Sequence, residues 1–186
     1  MGKRGLIISP EGIVYGGFDE SNHGHFPEYF SLVLSGYSQD AEKSLTKISK
    51  AKKATRISKI LGEVRLRGHT FLSVRKSDSN NITPNKLIGY IIASLSEDFL
   101  PQNLDVFNLY VDGKLEATKS KYLQDLLLEL YGFSNKQIKI FSGGDFDRRY
   151  PIVNFADCMS RYYFNTELSA KNLSKNANYR ELQYFN

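Results

Sequence analysis

The order of strand-like and helical segments limits the fold of this chain more than any other feature of its sequence. Segments rich in β-branched and aromatic residues are typical of strands, and they span residues 13–19, 29–37, 66–74, 104–111 and 137–141. Segments with the apolar pattern of helices span residues 85–99, 120–131 and 152–164. Three strands are therefore followed by helix, strand, helix, strand and helix. This order predicts an α/β fold with a mixed sheet and helices packed on its faces.

Length and composition are those of an ordinary folded domain. The 186 residues are 41% hydrophobic and 24% charged, which is typical of globular proteins. We expect residues 1–186 to form a single domain, with a basic excursion around residues 40–60. No apolar run approaches the ~20 residues needed to span a bilayer. A single cysteine, Cys158, excludes an intramolecular disulfide and fits a cytoplasmic location.

Positive charge is concentrated in residues 42–76, where eleven Lys and Arg residues stand against two acids. Such a field attracts polyanions and favours salt-dependent binding to phosphate backbones. A solvated basic surface would explain the same pattern equally well. If the segment binds nucleic acid, the expected contacts are Lys50, Lys52, Lys53, Arg56, Lys59, Arg65 and Arg67.

Three aspartates occupy positions where an α/β sheet gathers functional groups. Asp19 ends the first predicted strand, Asp112 follows the fourth, and Asp157 lies in the first turns of the last helix. Functional groups in open α/β sheets collect outside the carboxyl ends of the parallel strands. Clustered carboxylates repel one another unless a cation neutralises them, which indicates Mg²⁺ or Mn²⁺. Two such ions can activate a water and stabilise the leaving oxygen of a phosphodiester.

Each aspartate also has an ordinary structural explanation. Asp19 could begin a turn, and Asp112 with Gly113 could mark a hairpin. Asp157 could complete a helix cap with Asn154 or pair with Arg161 one turn later. The joint placement of the three favours a functional site.

Three short boxes resemble the acidic boxes of ribonuclease-H-like proteins. They are FDES at residues 18–21, LYVDGK at 109–114 and PIVNFADCMSRYYF at 151–164. The chain is most similar to an uncharacterised prokaryotic branch that opens on an Asp-Glu-Ser-Gly box and closes on a helix with Ala-Asp. The resemblance implies a five-stranded mixed sheet, with its first three strands antiparallel, flanked by helices. Better-known relatives of this superfamily are metal-dependent nucleases, Holliday-junction resolvases and transposases.

The resemblance implies that Asp19, Asp112 and Asp157 are the metal ligands and that Glu20 is the second acid of the opening box. Alternation along a strand points Glu20 away from Asp19. The chain departs from the branch at Asn22, where glycine is usual, and His23 and His25 follow. This histidine pair is more typical of an exposed turn than of a zinc site, because no further ligand stands at usable spacing.

A second acidic pair, Asp145 and Asp147, stands beside Arg148 and Arg149 in the loop before the last helix. Local ion pairing is the default interpretation of this loop. The alternative is that the loop borders the site and its arginines contact phosphate.

Taken together, these features predict a metal-dependent nuclease that hydrolyses DNA or RNA by a two-metal-ion mechanism. The alternative is a non-catalytic nucleic-acid-binding or assembly module that retains the fold. The second hypothesis predicts salt-sensitive binding without metal-dependent cleavage.

Overall fold

The structure is a computed structural model. It describes residues 12–21, 26–49, 59–60, 62–64, 67–80, 82–97, 104–166, 173 and 175–184. His23 and His25 lie outside these residues, as do residues 50–58 of the basic excursion.

Five strands form one mixed sheet in the order β3-β2-β1-β4-β5. They are β1 Ile13–Ser21, β2 Glu28–Ser35, β3 Gly68–Val74, β4 Val106–Asp112 and β5 Ile138–Gly143. Strand β2 runs antiparallel to its neighbours β1 and β3, whereas β4 runs parallel to both β1 and β5. The predicted α/β architecture, with an antiparallel start and parallel crossovers, is confirmed.

Three long helices flank the sheet: α1 Pro84–Ser96, α2 Ala117–Tyr131 and α3 Pro151–Asn165. Helix α2 ends at Gly132, whose φ of 66° is the left-handed conformation that glycine adopts without strain. No helix in the described ranges is both long enough and apolar enough to cross a bilayer.

The two faces of the sheet carry separate apolar cores. Alternate residues of β1 and β4, among them Phe18 and Leu109, pack with α1 and α2 on one face. Phe71 and Val33 pack with α3 on the other face. Helix α3 lies mainly on β1 and β2, so it covers only half of its face.

Glycine lets α3 approach β1 closely. A Cβ atom at Gly17 would overlap the carbonyl oxygen of Ile152 and stand 2.8 Å from the backbone nitrogen of Val153. The backbone of the first turn of α3 therefore lies directly on β1. Any side chain at position 17 would push the helix off the sheet.

The C-terminal segment covers the outer edge of β3. The amide of Phe71 donates to the carbonyl of Asn178 at 2.9 Å, and the amide of Arg180 donates back to the carbonyl of Phe71 at 2.8 Å. Unpaired strand edges invite pairing with other chains, and this segment occupies the backbone groups at the middle of that edge.

We expect Gly17→Ala to lower the unfolding free energy by about 1–3 kcal/mol, because overpacking forces the helix backbone to shift. Gly144→Ala is the matched control, since nothing lies within 4 Å of its added Cβ. Urea unfolding followed by circular dichroism would measure both. Equal stability of the two variants would contradict the close packing of α3 on β1.

Candidate active site

The carboxylates predicted from distant parts of the sequence meet at one end of the sheet. Phe18 of β1 is paired with Val111 of β4, so the next residues, Asp19 and Asp112, lie side by side where the parallel pairing of the two strands ends. Both follow the alternation that points them to the face covered by α3. Asp157, in the second turn of α3, is buried to the same degree as Asp19, with 4% of each residue exposed.

A fourth carboxylate, Asp147, joins them. It lies in a short 3₁₀ helix, Phe146–Arg148, and only 3% of it is exposed. Its backbone amide donates to Oδ1 of Asp112 at 3.2 Å, and the Asn154 side chain donates to its carbonyl at 2.9 Å. Local ion pairing, the default interpretation of this loop, is present at Asp145, which pairs with Arg149 at 3.2 Å.

The electrostatics of Asp19 show how close these groups are. Burial raises the pKa of the Asp19 carboxyl well above its usual range, and the charges of Asp157, Asp112 and Asp147 raise it further. The amide of Glu20 donates to Asp19 Oδ1 at 2.7 Å and partly offsets this effect. Negative charge therefore accumulates in a dehydrated place, where an added cation would stabilise the protein most.

A positive side chain of α3 reaches the cluster. Arg161 Nη2 donates to Asp157 Oδ1 at 2.6 Å, the i,i+4 pair that the sequence allowed. The guanidinium side chain is 31% exposed and the carboxylate side chain 6%. Arg161 thus neutralises part of the cluster from its solvent side.

The donor set suits a hard divalent cation, because all four side chains offer carboxylate oxygens. Among the described residues, however, no three His, Cys, Asp or Glu side chains lie close enough together to hold a metal ion as they stand. Binding would therefore require the carboxylates to turn towards the ion. Asp157 would have to turn away from Arg161 to do so.

Solved structures that share this fold carry ribonuclease names. The structure of a PCNA:RNase HII complex from Archaeoglobus fulgidus matches with a TM-score of 0.59 at 14% identity, over 89% of this chain and 81% of that chain. Ribonuclease H2 from Pyrococcus horikoshii OT3 matches with a TM-score of 0.55 at 14% identity, over 89% of this chain and 80% of that one. The Q54A mutant of Bst-RNase HIII matches with a TM-score of 0.55 at 14% identity, over 90% of this chain but 56% of that one.

The chain has a ribonuclease-H-like fold. At this level of identity the likeness shows the fold alone. No protein-family model matches the sequence, and no curated protein matches it.

Glu20 lies apart from the carboxylate cluster. Strand β1 continues to Ser21, so alternation applies and Glu20 shares the opposite face with Phe18. There it lines a cavity of about 250 Å³ at the end of the sheet, with Lys114 and Lys119 on the rim. Asp112 borders the same cavity, so Glu20 adjoins the edge of the site rather than its centre.

Arg67, one of the expected phosphate contacts, makes hydrogen bonds within the fold. Its Nε and Nη2 donate to the Asp40 carboxylate at 2.6 and 2.8 Å, and its Nη1 donates to the Glu63 carbonyl at 2.7 Å. The guanidinium also lies 4.8 Å from the centre of the Phe155 ring. Three of the five guanidinium N–H donors are used in these bonds, and only 11% of the side chain is exposed, so Arg67 offers little of its guanidinium to a phosphate.

The rest of the basic segment divides between described and undescribed residues. Lys59 is exposed, whereas Lys50, Lys52, Lys53, Arg56 and Arg65 lie outside the described residues. The start of the segment is fixed beside the site, because the amides of Ser44 and Ile48 donate to the carbonyls of Arg149 and Arg148 at 2.7 and 2.9 Å.

We expect Asp19→Asn to raise the melting temperature at pH 7 in EDTA, because it removes one negative charge from the cluster and leaves the size of the side chain unchanged. Each kcal/mol of relieved repulsion corresponds to about 2–4 °C in a protein of this size. Because the pKa of Asp19 is raised in the folded state, the folded wild type binds more protons than the unfolded chain. Its stability therefore falls as pH rises above the ordinary Asp range, and the gain in melting temperature from Asp19→Asn should grow.

Mn²⁺ should stabilise the wild type more than Asp19→Asn, by about 2.7 kcal/mol when the ion is at 100 times its Kd. Asp125→Asn, which removes an exposed carboxylate paired with Lys121, is the control. Scanning calorimetry with and without Mn²⁺ measures both effects. The same Mn²⁺ shift in all three proteins would rule out a cation at this cluster.

We expect Arg67→Ala to destabilise the fold by about 3–5 kcal/mol, since it leaves the buried Asp40 carboxylate without its partner. Lys59→Ala should change stability by less than about 0.5 kcal/mol and weaken salt-dependent DNA binding instead. Urea unfolding measures the stability of both variants, and fluorescence anisotropy with labelled DNA measures their binding. A stable Arg67→Ala with weakened DNA binding would return Arg67 to the nucleic-acid contacts.

Proposed function

We propose that this protein is a divalent-metal-dependent nuclease that hydrolyses phosphodiester bonds of DNA or RNA. The observation that carries the proposal is the meeting of four buried or half-buried aspartates at the carboxyl ends of parallel strands. The ribonuclease-H-like fold supports it, since the structures that share the fold are described as ribonucleases HII and HIII.

Asp19, Asp112 and Asp157 would hold Mg²⁺ or Mn²⁺, with Asp147 as the fourth carboxylate of the same site. Such ions supply an activated water and charge stabilisation for the leaving oxygen. The chain itself contributes the positioning of these oxygens. The amide of Asp147 holds the Asp112 carboxylate, Asn154 holds the Asp147 loop, and Glu20 holds Asp19 through its amide.

The basic segment would guide the phosphate backbone to these carboxylates. Its start is hydrogen-bonded to the loop that carries Asp147, so exposed Lys43 and Lys47 lie on the same side of the molecule as the site. Lys50, Lys52, Lys53, Arg56, Lys59 and Arg65 stay in the proposed set. Cations along one side of a site hold a strand by its phosphates and carry no sequence preference.

The second candidate is a non-catalytic nucleic-acid-binding module on the same fold. The observation that favours it is the ion pair between Arg161 and Asp157, which gives one carboxylate of the cluster a partner other than a metal ion. This function predicts binding that weakens with salt and no cleavage that depends on Mg²⁺ or Mn²⁺.

The nuclease hypothesis predicts that Asp112→Asn lowers cleavage by more than about 100-fold, because loss of groups that only support metal ligands already costs 10–100-fold. Labelled single- and double-stranded DNA, RNA and RNA–DNA hybrids are incubated with Mg²⁺, Mn²⁺ or EDTA. Asp145→Asn is the matched control, since its carboxylate lies two residues from Asp147 but is exposed and paired with Arg149.

Cleavage by wild type and Asp145→Asn, but not by Asp112→Asn or in EDTA, supports the nuclease. Salt-sensitive binding with all proteins equally inert supports the non-catalytic module. Cleavage that is indifferent to Asp112 would exclude the proposed site.

A further inference from the structure

Half of one sheet face is lined with aromatic rings beside the carboxylate cluster. Helix α3 covers β1 and β2 on this face and leaves β4 and β5 largely uncovered by a helix. The aromatic platform consists of Tyr110, Phe141, Phe146 and Tyr150. Tyr110 and Phe141 are paired across β4 and β5, with ring centres 4.9 Å apart and planes 21° apart.

The remaining two rings extend the platform towards α3. Tyr150 lies 4.9 Å from Tyr110 and 4.6 Å from Phe146, measured between ring centres. Phe141 is 39% exposed although it is one of the largest apolar side chains. An exposed aromatic surface supported by a second layer of rings is suited to stack a further flat group.

The platform is contiguous with the candidate active site. Tyr110 precedes Asp112 by two residues on the same face of β4, a separation of roughly 7 Å along a strand. Phe146 directly precedes Asp147. A group stacked on the platform would therefore lie next to the carboxylates.

The cations beside the platform indicate which kind of flat group would stack on it. Lys139 lies on the same face of β5 two residues before Phe141 and is exposed, as is Arg148 beside Asp147. The nearby Asp145 carboxylate is taken up by Arg149. Exposed rings flanked by cations are the combination that binds the bases and phosphates of a single strand. In a duplex the faces of the bases are covered by their neighbours, so only unstacked bases can reach these rings.

We propose that the aromatic platform stacks bases of a single-stranded segment of the nucleic acid whose backbone enters the carboxylate cluster. This inference rests on the proposed function and assigns it a substrate class, a strand with unpaired bases next to the site of cleavage. Phe141 supplies the exposed ring, Tyr110 supports it, and Lys139 contacts phosphate.

The chain contains no tryptophan, so Phe141→Trp introduces a single indole as a reporter. The variant is made in the Asp112→Asn background and titrated in Mg²⁺ with oligothymidylate of about 12 nucleotides, within the usual site size. A hairpin duplex with the same number of nucleotides is the competing probe. Leu130→Trp is the matched control, because Leu130 of α2 is 38% exposed and lies outside both cores.

The single strand should quench the indole at position 141, the duplex should quench it far less, and the indole at position 130 should not respond. Phe141→Ala and Phe141→Leu should each weaken single-strand binding about tenfold, whereas Leu130→Ala should not. Equal quenching at both positions, or wild-type affinity of Phe141→Ala, would overturn the inference. A change of oligomeric state in Phe141→Ala without a change of affinity would make the platform a protein interface and also overturn it.

The two proposals fail separately. Cleavage that depends on Asp112 and is unaffected by Phe141→Ala would retain the nuclease and remove the platform. Quenching specific to position 141 in a protein whose wild type never cleaves would retain the platform and remove the nuclease.

Discussion

The direct contact between α3 and β1 at Gly17 is the constraint on which the candidate site depends. Because the backbone of Ile152 and Val153 lies on that glycine, the second turn of α3 is held over the end of β1. Asp157 is thereby brought within electrostatic range of Asp19 and both are dehydrated. A helix lifted by one side chain would admit water, and water would screen the repulsion between these carboxylates.

The parallel pairing of β1 with β4 and of β4 with β5 brings the other two aspartates to the site. The register of β1 on β4 places Asp112 beside Asp19, and the register of β4 on β5 ends both strands at the loop that carries Asp147. That loop is fixed at both sides, by Asn154 of α3 and by the Asp112 carboxylate. The site is therefore supported by backbone pairing and helix packing, which hold side chains more rigidly than a mobile loop would.

The sequence predicts the fold well because each element has a strong local pattern, and it predicts three aspartates because they stand at the ends of those elements. Glu20 also follows from the pattern, since alternation alone places it on the other face. Asp147 does not follow, because Asp145 and Asp147 flank Phe146 in one loop and only the 3₁₀ turn decides which of the two is buried. The ion pair of Arg67 does not follow either, because a basic residue in a basic segment is typical of a surface and its partner Asp40 lies 27 residues away.

The raised pKa of Asp19 bears on how the cluster would bind a cation. A proton on Asp19 and a divalent ion between the carboxylates relieve the same repulsion, so they exclude each other. Arg161 acts as a second competitor through Asp157, but its side chain is partly exposed and can turn to solvent, whereas the aspartates cannot. Cation affinity would therefore fall as pH is lowered. The burial that brings the carboxylates together also raises the pH at which protons would displace the cation. Burial and mutual repulsion of the carboxylates thus oppose folding when no cation is bound, and the ion pair between Arg161 and Asp157 offsets part of that cost.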